Sequence, residues 1–207
     1  MDIEELYDFL RCKFERVIED NGLGGEPVLV HPLRAGILKA DFRGSEGLAC
    51  TNLDVEYSGT VEEVCRMETV ENEKTRAIFI SVLNAVMVSL GLAVRNSICR
   101  EGGQEFCGEN IADYVASAYG NPEILLVGMQ EGILSGLRKK GFSVSVIGDE
   151  VKPSSGDLSG TDLILCSGST IITGTITDYL DLDKEVIFYG MTLAGAAEWL
   201  GVKRICF

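Results

Sequence analysis

Four short apolar runs in the second half of the chain each end on a glycine: EILLVG (123–128), SVSVIG (143–148), LILCSG (163–168) and EVIFYG (185–190). Stretches of helical character separate them, and KRICF (203–207) closes the series. The runs are continuously apolar rather than alternating, as expected of strands covered on both faces. This rhythm dictates an open parallel sheet with helices on both sides, a Rossmann-like α/β domain. Ligands of such sheets sit at the carboxyl ends of the strands. Gly128, Gly148, Gly168 and Gly190 mark that edge.

The first half reads differently. IEELYDFLRCKFERVIED (3–20) carries a helical apolar stripe that stops at Asn21-Gly22. EPVLVHPL (26–33), GILKADFRG (36–44) and GLACTNLDVEY (47–57) are β-rich and separated by turns, which predicts a small antiparallel sheet. Residues 71–92 predict one long helix, polar at its start and buried later, in which Asn84 must find partners. The chain therefore divides into a small α+β domain over 1–97 and a Rossmann-like domain over 98–207. A Gly- and Cys-rich linker, SICREGGQEFCGEN (97–110), joins them, with a helix expected over 109–118.

Composition narrows the function classes. Asp and Glu number 32 against 18 Lys and Arg, giving a net charge of -14. RKK (138–140) is the one basic cluster, so neither nucleic acid nor an anionic membrane is expected as partner. No apolar run reaches the roughly 18 residues that span a bilayer. The acidic amphipathic start is neither a signal nor a transit peptide, which predicts a cytoplasmic protein. Seven cysteines at irregular spacing argue against a disulfide framework. His31 is the single histidine. No Ser-His-Asp set and no HExxH motif is available, so a metal site would lean on thiolate and carboxylate.

The stretch CSGSTIITGT (166–175) packs small hydroxyl residues and glycines after the third strand. Ser167, Gly168, Ser169 and Thr170 fit an anion site at the amino end of a following helix, and equally a simple capped turn. The loop lacks the lysine of a Walker A motif. GMQEGI (128–133) is a degraded dinucleotide fingerprint whose second position is Met129, which argues against NAD. Gly190 and Thr192 of GMTLAG (190–195) can complete the rim. Asp149 and Glu150 follow the second strand, where a ribose or a cation can be held or where the loop is simply solvated. Cys99 and Cys107 have seven residues between them, too many for a structural zinc pair. A Gly-rich loop can still bring them to Cys166, and buried inert thiols are the alternative.

DLILCSGSTIITGTITDYLDL followed by EVIFYGMTLAGAAEWLGV resembles the closing half of the family called domain of unknown function 364, which also carries a heavy-metal chelation label. The shared pattern is a strand, Gly168-Ser169-Thr170, two apolar residues, Thr173-Gly174-Thr175 and a helix, then a strand ending in a loop at Gly190-Met191-Thr192-Leu193-Ala194. This chain lacks the prolines of that second loop. GLACTN (47–52) and VLNAVM (82–87) are similar to the small domain that precedes it, whose fold resembles the amino-terminal domain of enolases. The resemblance implies a two-domain architecture, heavy-metal handling and a link to anaerobic, cobalamin-type cofactor metabolism.

Two functions follow. The first is binding or chelation of a transition metal, or of a metal-bearing small molecule, in the interdomain cleft. The 97–108 segment would form a lid, Cys99, Cys107 and Cys166 would be soft ligands, and Gly128, Ser167, Gly168, Ser169, Thr170, Thr173, Gly174, Thr175, Gly190 and Thr192 would form the ligand edge. The second is an enzyme that takes a phosphorylated or nucleotide-like metabolite at the 167–175 loop. A homodimer contact along the last strand is a further expectation.

Overall fold

The computed structural model describes residues 1–93 and 103–207. The first helix, α1 (Ile3–Asn21), starts with a reciprocal cap in which Asp2 accepts from the Glu5 amide and Glu5 from the Asp2 amide. It ends at Gly22 in the left-handed region, φ 63°. Its buried stripe is Leu6, Tyr7, Leu10, Phe14 and Ile18.

Three strands follow: β1 (Pro27–Arg34), β2 (Ile37–Phe42) and β3 (Ser45–Cys50). The run read as one strand over 47–57 is in fact split. Its end joins a separate strand, β4 (Tyr57–Thr60), which pairs with β1 to give an antiparallel sheet of order β3-β2-β1-β4. A short helix, α2 (Val61–Cys65), continues from β4. The long helix is α3 (Glu73–Ser89), capped by Asn72 and buried at every position from Arg76 to Met87. A helix apolar all round must be covered all round. One side lies against β2 and β3 so closely that a Cβ on Gly47 would sit 2.1 Å from the Ser81 carbonyl oxygen.

The second half contains α4 (Gly103–Tyr119), β5 (Ile124–Val127), α5 (Glu131–Lys139), β6 (Val144–Ile147), α6 (Ser155–Leu158), β7 (Leu163–Ser167), α7 (Thr170–Thr173), α8 (Thr177–Leu180), β8 (Glu185–Tyr189) and β9 (Arg204–Ile205). All five strands are parallel, in the order β6-β5-β7-β8-β9. Side chains alternate between two cores. Ile124, Leu126, Leu163, Leu165 and Ile187 pack with Ile111 and Val115 of α4 and with Ile133 and Leu137 of α5. Leu125, Val127, Ile164, Cys166 and Phe188 face the other way, into a cluster with α1, α3 and α7.

That second core explains why the crossovers after β6 and β7 hold only single-turn helices. The sheet face they would cover is already covered by α1 and α3. Three buried polar groups fasten the halves together. Tyr7 Oη donates to the Ile171 carbonyl at 3.0 Å, and Arg76 Nε to that of Ile172 at 2.6 Å. Asn84 Nδ2 donates to the carbonyls of Leu48 (2.8 Å) and Thr192 (2.9 Å), and its Oδ1 accepts from the Gly195 amide at 2.7 Å. The polar residue that had to find partners pins loops. Among the described residues no helix is long and apolar enough to cross a membrane.

Candidate functional site: a cleft at the carboxyl edge of the parallel sheet

From β5 the chain leaves toward the α4/α5 face, and from the neighbouring β7 it leaves toward the α1/α3 face. Diverging connections of this kind open a crevice at the strand ends. Its floor is tight. Gly128 has φ 78°, and a Cβ there would lie 2.7 Å from that of Ser167. Tyr189 Oη, buried beneath, donates to the Val127 carbonyl at 3.0 Å and also to that of Gly128.

The hydroxyls of the β7 turn run in one direction. Ser169 Oγ donates to Asp149 Oδ2, and the Ser167 and Ser169 hydroxyl oxygens are 2.6 Å apart. An ionised carboxylate has no hydrogen to give, so Ser167 donates to Ser169 and Ser169 to Asp149. Thr173 Oγ1 (2.8 Å) and Thr175 Oγ1 (2.5 Å) both donate to the Asp149 backbone carbonyl. Three hydroxyls of the 167–175 loop thus hold one aspartate in place at the end of β6, with Ser167 bracing one of the three. Several of the turn's own amides are spent as well. Gly168 N–H donates to Tyr189 O, Ser169 N–H to Ser167 Oγ, Ile172 N–H to Ser169 O and Thr173 N–H to Ser169 O. With α7 only four residues long, the loop is organised to orient a carboxylate.

The opposite wall comes from the first half. Residues 50–53 after β3, Gly36 in the β1–β2 turn and Glu73 in the first turn of α3 close a cleft of about 330 Å3 with Gly128, Met129, Gln130, Asp149, Glu150, Ser167, Ser169, Ile172 and Thr173. Thr192 fixes this wall, because its Oγ1 accepts from the Cys50 amide at 2.9 Å. Three carboxylates line the cleft, those of Glu73, Asp149 and Glu150, and no lysine or arginine is among its described lining residues. The amide side chains of Asn52 and Gln130 also line it, and neither is hydrogen-bonded to another described residue.

Of the expected ligand edge, Gly128, Ser167, Ser169 and Thr173 line this cleft. Thr170 is fully buried and donates to the Ser167 carbonyl at 2.8 Å. Gly168 packs against Thr192 and Leu193, and Gly174 ends α7 with φ 90° beside Ile3. Thr175 holds Asp149 from behind. Gly190 accepts from Arg204 Nε at 2.9 Å, and Thr192 is buried under Cys50. These six support the site from outside its lining. Sequence reasoning missed Glu73 and the 50–53 segment as site residues. The NLD of 52–54, which interrupts the β-rich run before its end, was the available signal.

The three cysteines of the thiolate reading do not come together among the described residues. Cys107 packs on the α4/α5 side of the sheet, and Cys166 lies in the core on the other side. Cys99 lies outside the described residues. Burial pushes the Cys166 thiol well above its ordinary pKa, its weak contact to Thr170 Oγ1 at 3.7 Å opposes this, and the Asp149 charge adds to it. A buried neutral thiol is a poor metal ligand. Among the described residues no group of three His, Cys, Asp or Glu side chains could hold a metal ion. His31 is bound by Asp41 at 3.0 Å on the antiparallel sheet, away from the cleft lining.

Fold and cleft together define the class: an α/β protein whose parallel sheet has the flavodoxin-like strand order, joined to an antiparallel α+β layer that walls its ligand edge. Among solved structures, a Pyrococcus horikoshii protein of unknown function from the DUF364 family shares this fold. It aligns at TM-score 0.57 and 18% identity over 94% of this chain and 82% of its own. A structure of MppP soaked with the product 2-ketoarginine aligns at TM-score 0.36 and 11% identity over 50% of this chain and 36% of its own, too little to carry an argument. No family model matches the chain, and no curated protein matches it at a significant level.

Proposed function

We propose that the chain is a member of the DUF364 family and binds a small, non-anionic organic ligand in the cleft between its two sheets. One observation carries this reading. At the carboxyl edge where the connections diverge, Glu73, Asp149 and Glu150 line a cleft with no basic side chain among its described lining residues. A phosphorylated ligand would bring like charge against three carboxylates. A ligand rich in hydrogen-bond donors, neutral or cationic, meets acceptors instead. The cleft volume, about 330 Å3, lies at the lower end of the range for small-molecule sites.

The reading is tested by thermal-shift measurements on the full chain with arginine, spermidine, adenosine, AMP, inorganic phosphate, Zn2+ and Ni2+. Stabilisation is expected from at least one of the first three, lost in Asp149→Asn. Neither phosphate nor AMP should match it. Stabilisation by the metal ions alone would favour the chelation reading, and stabilisation led by phosphate would favour the phosphorylated-metabolite enzyme. Either result would overturn the proposal.

A further inference from the structure

We infer that the ligand of this cleft is a ribonucleoside without a phosphate, its ribose diol held by Asp149 and its base edge read by Asn52 and Gln130. The inference rests on the cleft reading above and narrows it. Asp149 stands at the end of β6, the strand beside β5, where doubly wound sheets place the acid that accepts from a ribose. Its two oxygens are not equivalent here. Oδ2 accepts from Ser169, whereas Oδ1 accepts no hydrogen bond from any described residue. With its main chain clamped by Thr173 and Thr175, Asp149 is a carboxylate with one face spent on the protein and one available to the cleft. A vicinal diol, offering two neighbouring O–H donors, matches that arrangement.

The rest of the lining asks for a flat group with both donors and acceptors. Asn52 and Gln130 each present an amide that donates and accepts and that has no partner among the described residues. Amides of this kind pair with purine edges in two-point contacts. Leu53 lines the same cleft, and so does Met129, which is 66% exposed directly after the Gly128 turn. An aromatic base over a thioether covers apolar surface that otherwise stays in water. A 5′-phosphate would add negative charge to the three carboxylates, which separates nucleoside from nucleotide.

Calorimetric titration of the full chain with adenosine, guanosine, cytidine and uridine, each beside its 2′-deoxy and 5′-monophosphate counterpart, tests the inference. At least one ribonucleoside should bind, with its deoxy form and its monophosphate weaker by roughly tenfold or more, the scale of one lost charge-assisted hydrogen bond. Asp149→Asn should weaken that ribonucleoside similarly and the deoxy form, which keeps only its 3′-hydroxyl donor, by less, while Gln130→Ala should weaken both. Circular dichroism of each variant separates lost binding from lost folding. Equal binding of ribo and deoxy forms, or of nucleoside and monophosphate, would overturn the inference. If arginine or spermidine saturates the protein in an Asp149-dependent way while no nucleoside binds, the inference falls and the cleft reading stands. If nothing binds, both fall.

Discussion

Single side chains set the chemistry of the cleft, and Ser169 is the clearest case. Its hydroxyl joins Asp149 to Ser167, so removing it releases the carboxylate without opening the core. Ser169→Ala should lower affinity for the best cleft ligand by roughly tenfold, and Ser169→Thr, which keeps a hydroxyl, should recover most of it in the same titration. The thiols give a second expectation. Cys65 is pushed up to about 12 by burial, and Cys166 is raised as well. Both are therefore neutral in the folded chain at pH values where the unfolded chain is already ionised. Their contribution to stability is complete below about pH 8.5 and is lost as pH rises, by up to about 1.4 kcal/mol per pH unit for each thiol. Denaturant midpoints should fall between pH 8 and pH 10, less steeply in a Cys65→Ala, Cys166→Ala variant. An unchanged slope in that variant would contradict the assignment. At this scale the sequence was a partial guide. Asp149 and Glu150 were visible as acids after a strand, but the Ser169 contact that makes Asp149 special joins residues 20 apart in the chain and is invisible to local pattern.

Elements were more legible, because periodicity and glycine punctuation are local signals. The five parallel strands, α1 and the body of α3 follow directly from apolar pattern. The break between β3 and β4 and the one-turn helices α6 and α7 do not, since they depend on what covers each face. The contact of α3 with β3 at Gly47 is likewise tertiary. Gly47→Ala places a Cβ against the α3 backbone and should cost about 3 kcal/mol or more in denaturant unfolding. Asn84→Ala removes three buried hydrogen bonds and leaves the carbonyls of Leu48 and Thr192 and the Gly195 amide short of a partner. It should cost about 2–4 kcal/mol. Because Asn84 ties the β3 wall to the 190–195 loop, the same variant should also weaken ligand binding. A stability loss with intact affinity would show that the wall holds its place without it.

At the scale of the molecule, the two units proposed from sequence, 1–97 and 98–207, share a core. Leu6, Phe14 and Phe79 lie in one cluster with Val127, Ile164 and Phe188. Calorimetric unfolding should accordingly give one cooperative transition, and two resolved transitions would show that the halves fold apart. This junction also makes the cleft, for neither sheet alone supplies both of its walls. The most direct measurement is therefore backbone-amide NMR of the 15N-labelled chain titrated in turn with adenosine, guanosine, cytidine and uridine. With at least one of them the account predicts the largest shift changes at residues 51–53, 128–130, 149–150 and 167–173, displaced to roughly tenfold higher ligand concentration in Asp149→Asn. Changes concentrated instead on the groove lined by Glu15, Glu62 and Cys65, or absent at every amide, would contradict it.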